Sequence, residues 1–157
     1  MAQITLDEVT ALFREQVPAG WFTGLPTIEM DDEEILCVGA LAPSESAEDF
    51  RERSRSERMA IAAEAEARFE RKVSWGVERD GAIVLFTNLS TPVMTRLRLR
   101  ERAVLDTLVS SGVARSRSDA LAWCVKLVGR NQGQWLEELR EALVGVEQAR
   151  SGGPTLI

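Results

Sequence analysis

The sequence predicts an α+β fold: an N-terminal antiparallel sheet with helices, then a short basic strand, two helices and a C-terminal amphipathic helix. Three observations carry this. Apolar runs flank two turn signals before residue 90, helical periodicity recurs in five separate segments, and arginine alternates with leucine from Arg96 to Arg100.

Thr5-Leu6-Asp7-Glu8 has capping-box spacing and heads a segment with Leu6, Val9, Leu12 and Phe13 on one helical face, predicting a helix from Leu6 to Gln16. Pro18, Gly20, Gly24 and Pro26 break the pattern, and Trp21 and Phe22 are expected to fold back onto the core. Thr27 to Met30 and Ile35 to Leu41 read as a hairpin joined by Asp31-Asp32-Glu33-Glu34. Oxygen ligands of that kind suit a hard cation, but the calcium-loop spacing is missing and a solvated turn is the better reading.

Pro43 and Ser44 or Ser46 introduce a long helix, read from Ala47 to Lys72, with interleaved arginine and glutamate. Arg51, Arg53, Arg55 and Arg58 form a basic run of a kind that touches phosphate. Glu48, Asp49, Glu52 and Glu57 interleave with it, which favours a solvated face. Val73 to Glu78 and Ala82 to Thr87 flank Arg79-Asp80-Gly81, whose Asp-Gly pair marks a second hairpin. Residues 1–92 therefore read as one acidic α+β domain with about four antiparallel strands, ending in a linker at residues 88–92.

The strand at Arg96 to Arg100 follows. Successive strand side chains point to opposite faces, so Arg96, Arg98 and Arg100 share one side and Leu97 and Leu99 the other. Glu101 to Ser111 is a short helix closed by Gly112, and Ser116-Arg117-Ser118-Asp119 caps a second helix carrying Leu121, Cys124, Val125 and Val128. Residues 93–131 thus form a second unit. Residues 132–157 hold the last helix, from Gln134 to Arg150, and a tail.

Composition narrows the function. With 157 residues, 45% of them hydrophobic and 28% charged, the chain suits one domain or two small ones. No apolar run approaches the roughly 18 residues that span a bilayer, and the first residues lack signal-peptide character, so a cytoplasmic protein without membrane contact is expected. Histidine and tyrosine are absent. That removes the commonest general base and transition-metal ligand, and the expectation is a protein that is not an enzyme and uses no cofactor or metal. Cys37 and Cys124 stand far apart and read as two buried thiols. The net charge of −6 is unevenly spread: residues 93–131 carry eight basic against three acidic side chains, a local +5, whereas residues 1–92 carry −9.

One basic strand, a short helix, a glycine turn and a helix capped by Ser116-Arg117-Ser118-Asp119 resemble the ribbon-helix-helix family, β-ribbon DNA readers of the Arc and methionine-repressor type. The resemblance spans residues 93–128. It implies a strand paired antiparallel with its twofold copy and laid in the major groove. The same demand arises physically, because a lone strand leaves unpaired N–H and C=O groups that a symmetry mate satisfies. A homodimer would bury Leu97, Leu99, Val104, Leu105, Leu108, Leu121, Val125 and Val128 in a shared core. Arg96, Arg98 and Arg100 are the expected base readers, matched to guanine. Ser116, Arg117 and Ser118, at a helix N-terminus, are the expected phosphate anchor.

The function expected is a dimeric, sequence-specific transcriptional regulator of repressor type that binds double-stranded DNA, its N-terminal domain sensing a protein or small-molecule partner. Two alternatives stand beside it: an antitoxin of a toxin–antitoxin pair, and a single α+β domain that binds a ligand or protein without DNA.

Overall fold

A computed structural model of the chain describes residues 4–87 and 89–154, so Asn88 of the expected linker lies outside the described residues. The chain divides into two compact units, Met1–Val93 and Met94–Ile157.

In the first unit, α1 (Leu6–Gln16) starts at a complete capping box: the Thr5 hydroxyl accepts from the Glu8 N–H, and the Glu8 carboxylate accepts from the Thr5 N–H at 2.9 Å. That hydrogen bond holds the Glu8 carboxyl below the usual glutamate range. Strands β1 (Thr27–Met30) and β2 (Glu34–Ala40) form the expected antiparallel hairpin. The Asp31 carboxylate accepts the N–H groups of Glu33 and Glu34 at 2.9 and 2.8 Å, organising the turn itself.

The long helix expected from residue 47 to 72 is two helices, α2 (Ala47–Arg53) and α3 (Arg55–Phe69). Ser54 separates them. Its buried hydroxyl donates to the Phe50 carbonyl four residues back, the kind of bond that bends a helix. Glu70, at φ 53°, ends α3 in a left-handed cap. Lys72 then opens β3 (Lys72–Arg79), which pairs with β4 (Ala82–Leu85) across a two-residue turn in which Asp80 and Gly81 both have positive φ. This is the turn geometry that Asp-Gly favours.

The sheet order is β1-β2-β3-β4. Both hairpins are antiparallel as expected, but β2 and β3 run parallel, so the sheet is mixed. The reason is the connection: α2 and α3 carry the chain back along the sheet, and such a crossover delivers the next strand in the same direction. Ile28, Cys37 and Trp75 are aligned across three strands and all buried. They pack in one core with Val9, Phe13, Trp21, Phe50 and Phe69 of the helices and loop. Trp21 meets Phe50 edge-on at 5.4 Å, as expected of a loop folded onto the core. Cys37 is fully buried, and loss of solvent pushes its thiol pKa up to about 12. Cys124 is only half-buried, so the reading of two buried thiols holds for one of them.

The second unit is helical: α4 (Leu99–Ser110), α5 (Arg117–Asn131) and α6 (Gly133–Ser151). Gly112 has φ +80° just after α4, the left-handed position expected of it. The last helix, α6, follows α5 directly after Gln132 and buries none of its described residues. Among the described residues no helix is long and apolar enough to cross a membrane.

Candidate functional site

The arginine–leucine alternation is shorter than its sequence indicates. Residues 91–98 form no strand in the single chain, and Leu99 and Arg100 already belong to α4. The helix wins because the Arg98 N–H finds the Glu101 carboxylate at 2.8 Å, while a strand here has no neighbour within its own unit to pair with. Arg102 reaches back to donate to the Leu97 carbonyl at 2.6 Å, tying the extended segment to α4. Arg96 and Arg98 precede the helix and Arg100 sits in its first turn, so a single strand face does not collect all three. All three are exposed, and none forms an ion pair among the described residues. A cation in the first turn opposes the helix dipole, so Arg100 is there at a cost to α4.

Ser116 caps α5 as the sequence predicts, while the Asp119 carboxylate reaches one residue beyond it, to Arg115, so the capping box is only half formed. The Ser116 hydroxyl accepts from the Asp119 N–H at 3.1 Å, and the Asp119 carboxylate accepts from the Arg115 N–H at 2.9 Å, which holds its carboxyl below the usual aspartate range. Ser118 is exposed beside them. Arg117 departs from its expected role. Its guanidinium donates twice to Asp106 of α4, at 2.7 and 2.9 Å, and so ties the two helices together. Those bonds lower the Asp106 pKa and raise that of Arg117.

The apolar residues divide sharply. Leu105 is buried with Ala114 and Ala120, and Leu97, Leu108, Leu121, Val109 and Cys124 pack half-buried around them. Four residues expected in the dimer core are instead open to solvent in the single chain: Leu99, Val104 at 55% exposure, Val125 at 65% and Val128 at 48%. On α6, Trp135, Leu139 and Leu143 are also exposed at helical spacing. Three buried side chains, two of them alanine, are a thin core for three helices. Ala120 is read from the sequence only as a flank of the second helix's apolar face, and Ala114 lies in a turn where no periodic signal marks it as core. Among the described residues no group of three or more His, Cys, Asp or Glu side chains could hold a metal ion.

Residues 7–85 match the family described as Rv1265-like protein, N-terminal domain, and residues 98–150 match the Mb1296 C-terminal domain. The second match begins at the N-cap of α4 and spans α4, α5 and all but the last residue of α6. Two relatives, uncharacterized protein Mb1296 of Mycobacterium bovis and uncharacterized protein Rv1265 of Mycobacterium tuberculosis, are each 51% identical over 156 residues, covering 92% of this chain and 69% of the relative. No solved structure matches the chain. With one family match covering its N-terminal half and half of all positions shared with relatives along nearly its whole length, the chain belongs to the Rv1265-like protein family.

Proposed function

We propose that the second unit works as a homodimer that binds double-stranded DNA, with the acidic first unit as a sensing domain, in a transcriptional regulator of repressor type. The observation that carries this reading is the exposed apolar surface of α4 and α5 beside an uncompensated basic segment. Val104, Val125 and Val128 are exposed among the described residues of the second unit, and a twofold partner offers the same residues in return. Pairing residues 94–98 with their twofold copy satisfies the backbone groups left open there and forms the two-stranded ribbon of the ribbon-helix-helix type.

The position of α4 refines the reading face. Arg96 and Arg98 lie on the ribbon and read base edges, whereas Arg100, in the first turn of α4, flanks the ribbon and meets phosphate. At α5, Arg117 is engaged with Asp106, so backbone N–H groups near Ser116 to Ser118 do the anchoring rather than the Arg117 side chain.

The test pairs light scattering with a gel-shift titration across salt concentrations. A dimer is expected, with affinity that falls steeply as salt rises. Arg98→Ala is expected to cost about 1–3 kcal/mol of binding and to relax discrimination at the base it reads. A monomer at micromolar concentration, or an Arg98→Ala variant that binds as tightly as the parent, overturns the reading. The exposed apolar residues of α6 favour one second reading, an antitoxin whose cognate partner covers that helix, and co-purification of a small partner protein would support it.

A further inference from the structure

Three residues of the basic run on α2 and α3, Arg51, Arg53 and Arg55, are exposed as the sequence describes, and the last is not. Arg58 is only 8% exposed. Its Nε donates to the Ser54 hydroxyl at 2.9 Å and its Nη2 to the Arg51 carbonyl at 2.8 Å, groups made available by the break between the helices. Its guanidinium lies over the Phe86 ring, 5.0 Å from the centroid. Arg51 approaches the same ring at 5.8 Å. These partners are neutral. Among the described residues Nη1 of Arg58 donates to nothing, and no carboxylate forms an ion pair with Arg51, Arg55 or Arg58.

Buried arginines are ordinarily paired with an anion, because desolvation of the charge must be offset. Here burial, and then the neighbouring Arg51 and Arg55 charges, lower the Arg58 pKa. Arg53, the fourth member of the run, is different: it is held by Glu45. Arg51, Arg55 and Arg58 instead line an open depression of about 240 Å³ with Glu52, Met59, Phe86 and Thr87. Three cations and one carboxylate thus face a single hollow in a unit whose sequence carries −9 through residue 92. We propose that this hollow, bordered by Phe86, is a binding site for a small phosphate-bearing ligand, with Arg58 as its floor and Arg51 and Arg55 as its rim.

Size and surroundings select the ligand class. The volume lies below the ~300–1,000 Å³ of sites for drug-sized molecules, which suits a phosphate group with little attached. Guanidinium donors match phosphate oxygens in forked pairs. Glu48, Asp49 and Glu57 stand exposed on the same helices and repel an extended polyanion such as a nucleic-acid backbone. This site lies wholly in the first unit and is independent of DNA binding by the second.

The test is a titration of the isotope-labelled full chain with inorganic phosphate at constant ionic strength, followed by amide resonances. Saturable shifts are expected at Arg51, Arg55, Arg58, Phe86 and Thr87. Arg51→Gln and Arg55→Gln, both exposed positions that leave the fold intact, are each expected to weaken phosphate about tenfold, the value of one charge-assisted hydrogen bond. Arg58→Lys, which keeps the charge but loses the Nη1 donor and the bonds that hold the guanidinium to Ser54 and Arg51, is expected to weaken it at least as much. Shifts that do not saturate, that chloride reproduces, or that survive unchanged in both rim variants overturn the site. So does a response to a short DNA duplex without a response to phosphate.

Discussion

Gly39 illustrates how a single residue constrains the first unit. A Cβ built there would lie 2.3 Å from carbons of the Phe22 ring, so the glycine is required by close approach of that side chain to β2. Gly39→Ala is expected to destabilise the protein by about 1–3 kcal/mol, an overpacking cost, measured by denaturant unfolding. Asp106 offers a second test, through pH. Its folded-state pKa is depressed by the bonds from Arg117, so the stabilisation is present above the unfolded value, roughly 3.9, and is lost as pH falls through the folded value. Acid titration of the unfolding midpoint is expected to show a smaller loss in Asp106→Asn than in the parent. The capping carboxylates, Glu8 and Asp119, were legible in the sequence because each acts on residues three or four positions away. The Asp106–Arg117 pair was not, since eleven positions and a turn separate its members.

Elements follow the same rule with two exceptions. Helix α1 and the turn at Asp80-Gly81 match their sequence signals, because caps and tight turns are decided within a few residues. The expected helix from residue 47 to 72 failed at both its middle and its end. Ser54 diverts its hydroxyl to the backbone, and Glu70 takes a left-handed conformation that sequence patterns assign to glycine or asparagine. Glu70→Gly is therefore expected to stabilise the protein by about 1 kcal/mol, read as a rise in the thermal midpoint. The second exception is the arginine–leucine alternation, a strand pattern that a helix overrides from Leu99 onward. Period-two alternation and helical propensity compete there, and a strand without a partner loses the contest within one chain.

At the scale of the molecule, the two units differ in completeness. The first buries a continuous core of helix, loop and sheet side chains; the second leaves Val104, Val125 and Val128 open. If a twofold partner covers that surface, Val125→Asp places an uncompensated charge in the interface. Light scattering is then expected to show a monomer with loss of DNA binding, and phosphate binding by the first unit is expected to persist.

The sequence alone determined the α+β class, four of the helix starts, both hairpins and the separation of an acidic half from a basic segment. Each rests on spacing or composition within a short window. Only the tertiary structure decided the parallel pairing of β2 with β3, the burial of Arg58 against Phe86, and which apolar residues of the second unit remain uncovered. Those features depend on residues brought together from distant positions. A local pattern can show that a side chain is apolar or charged; packing decides whether anything in the chain covers it.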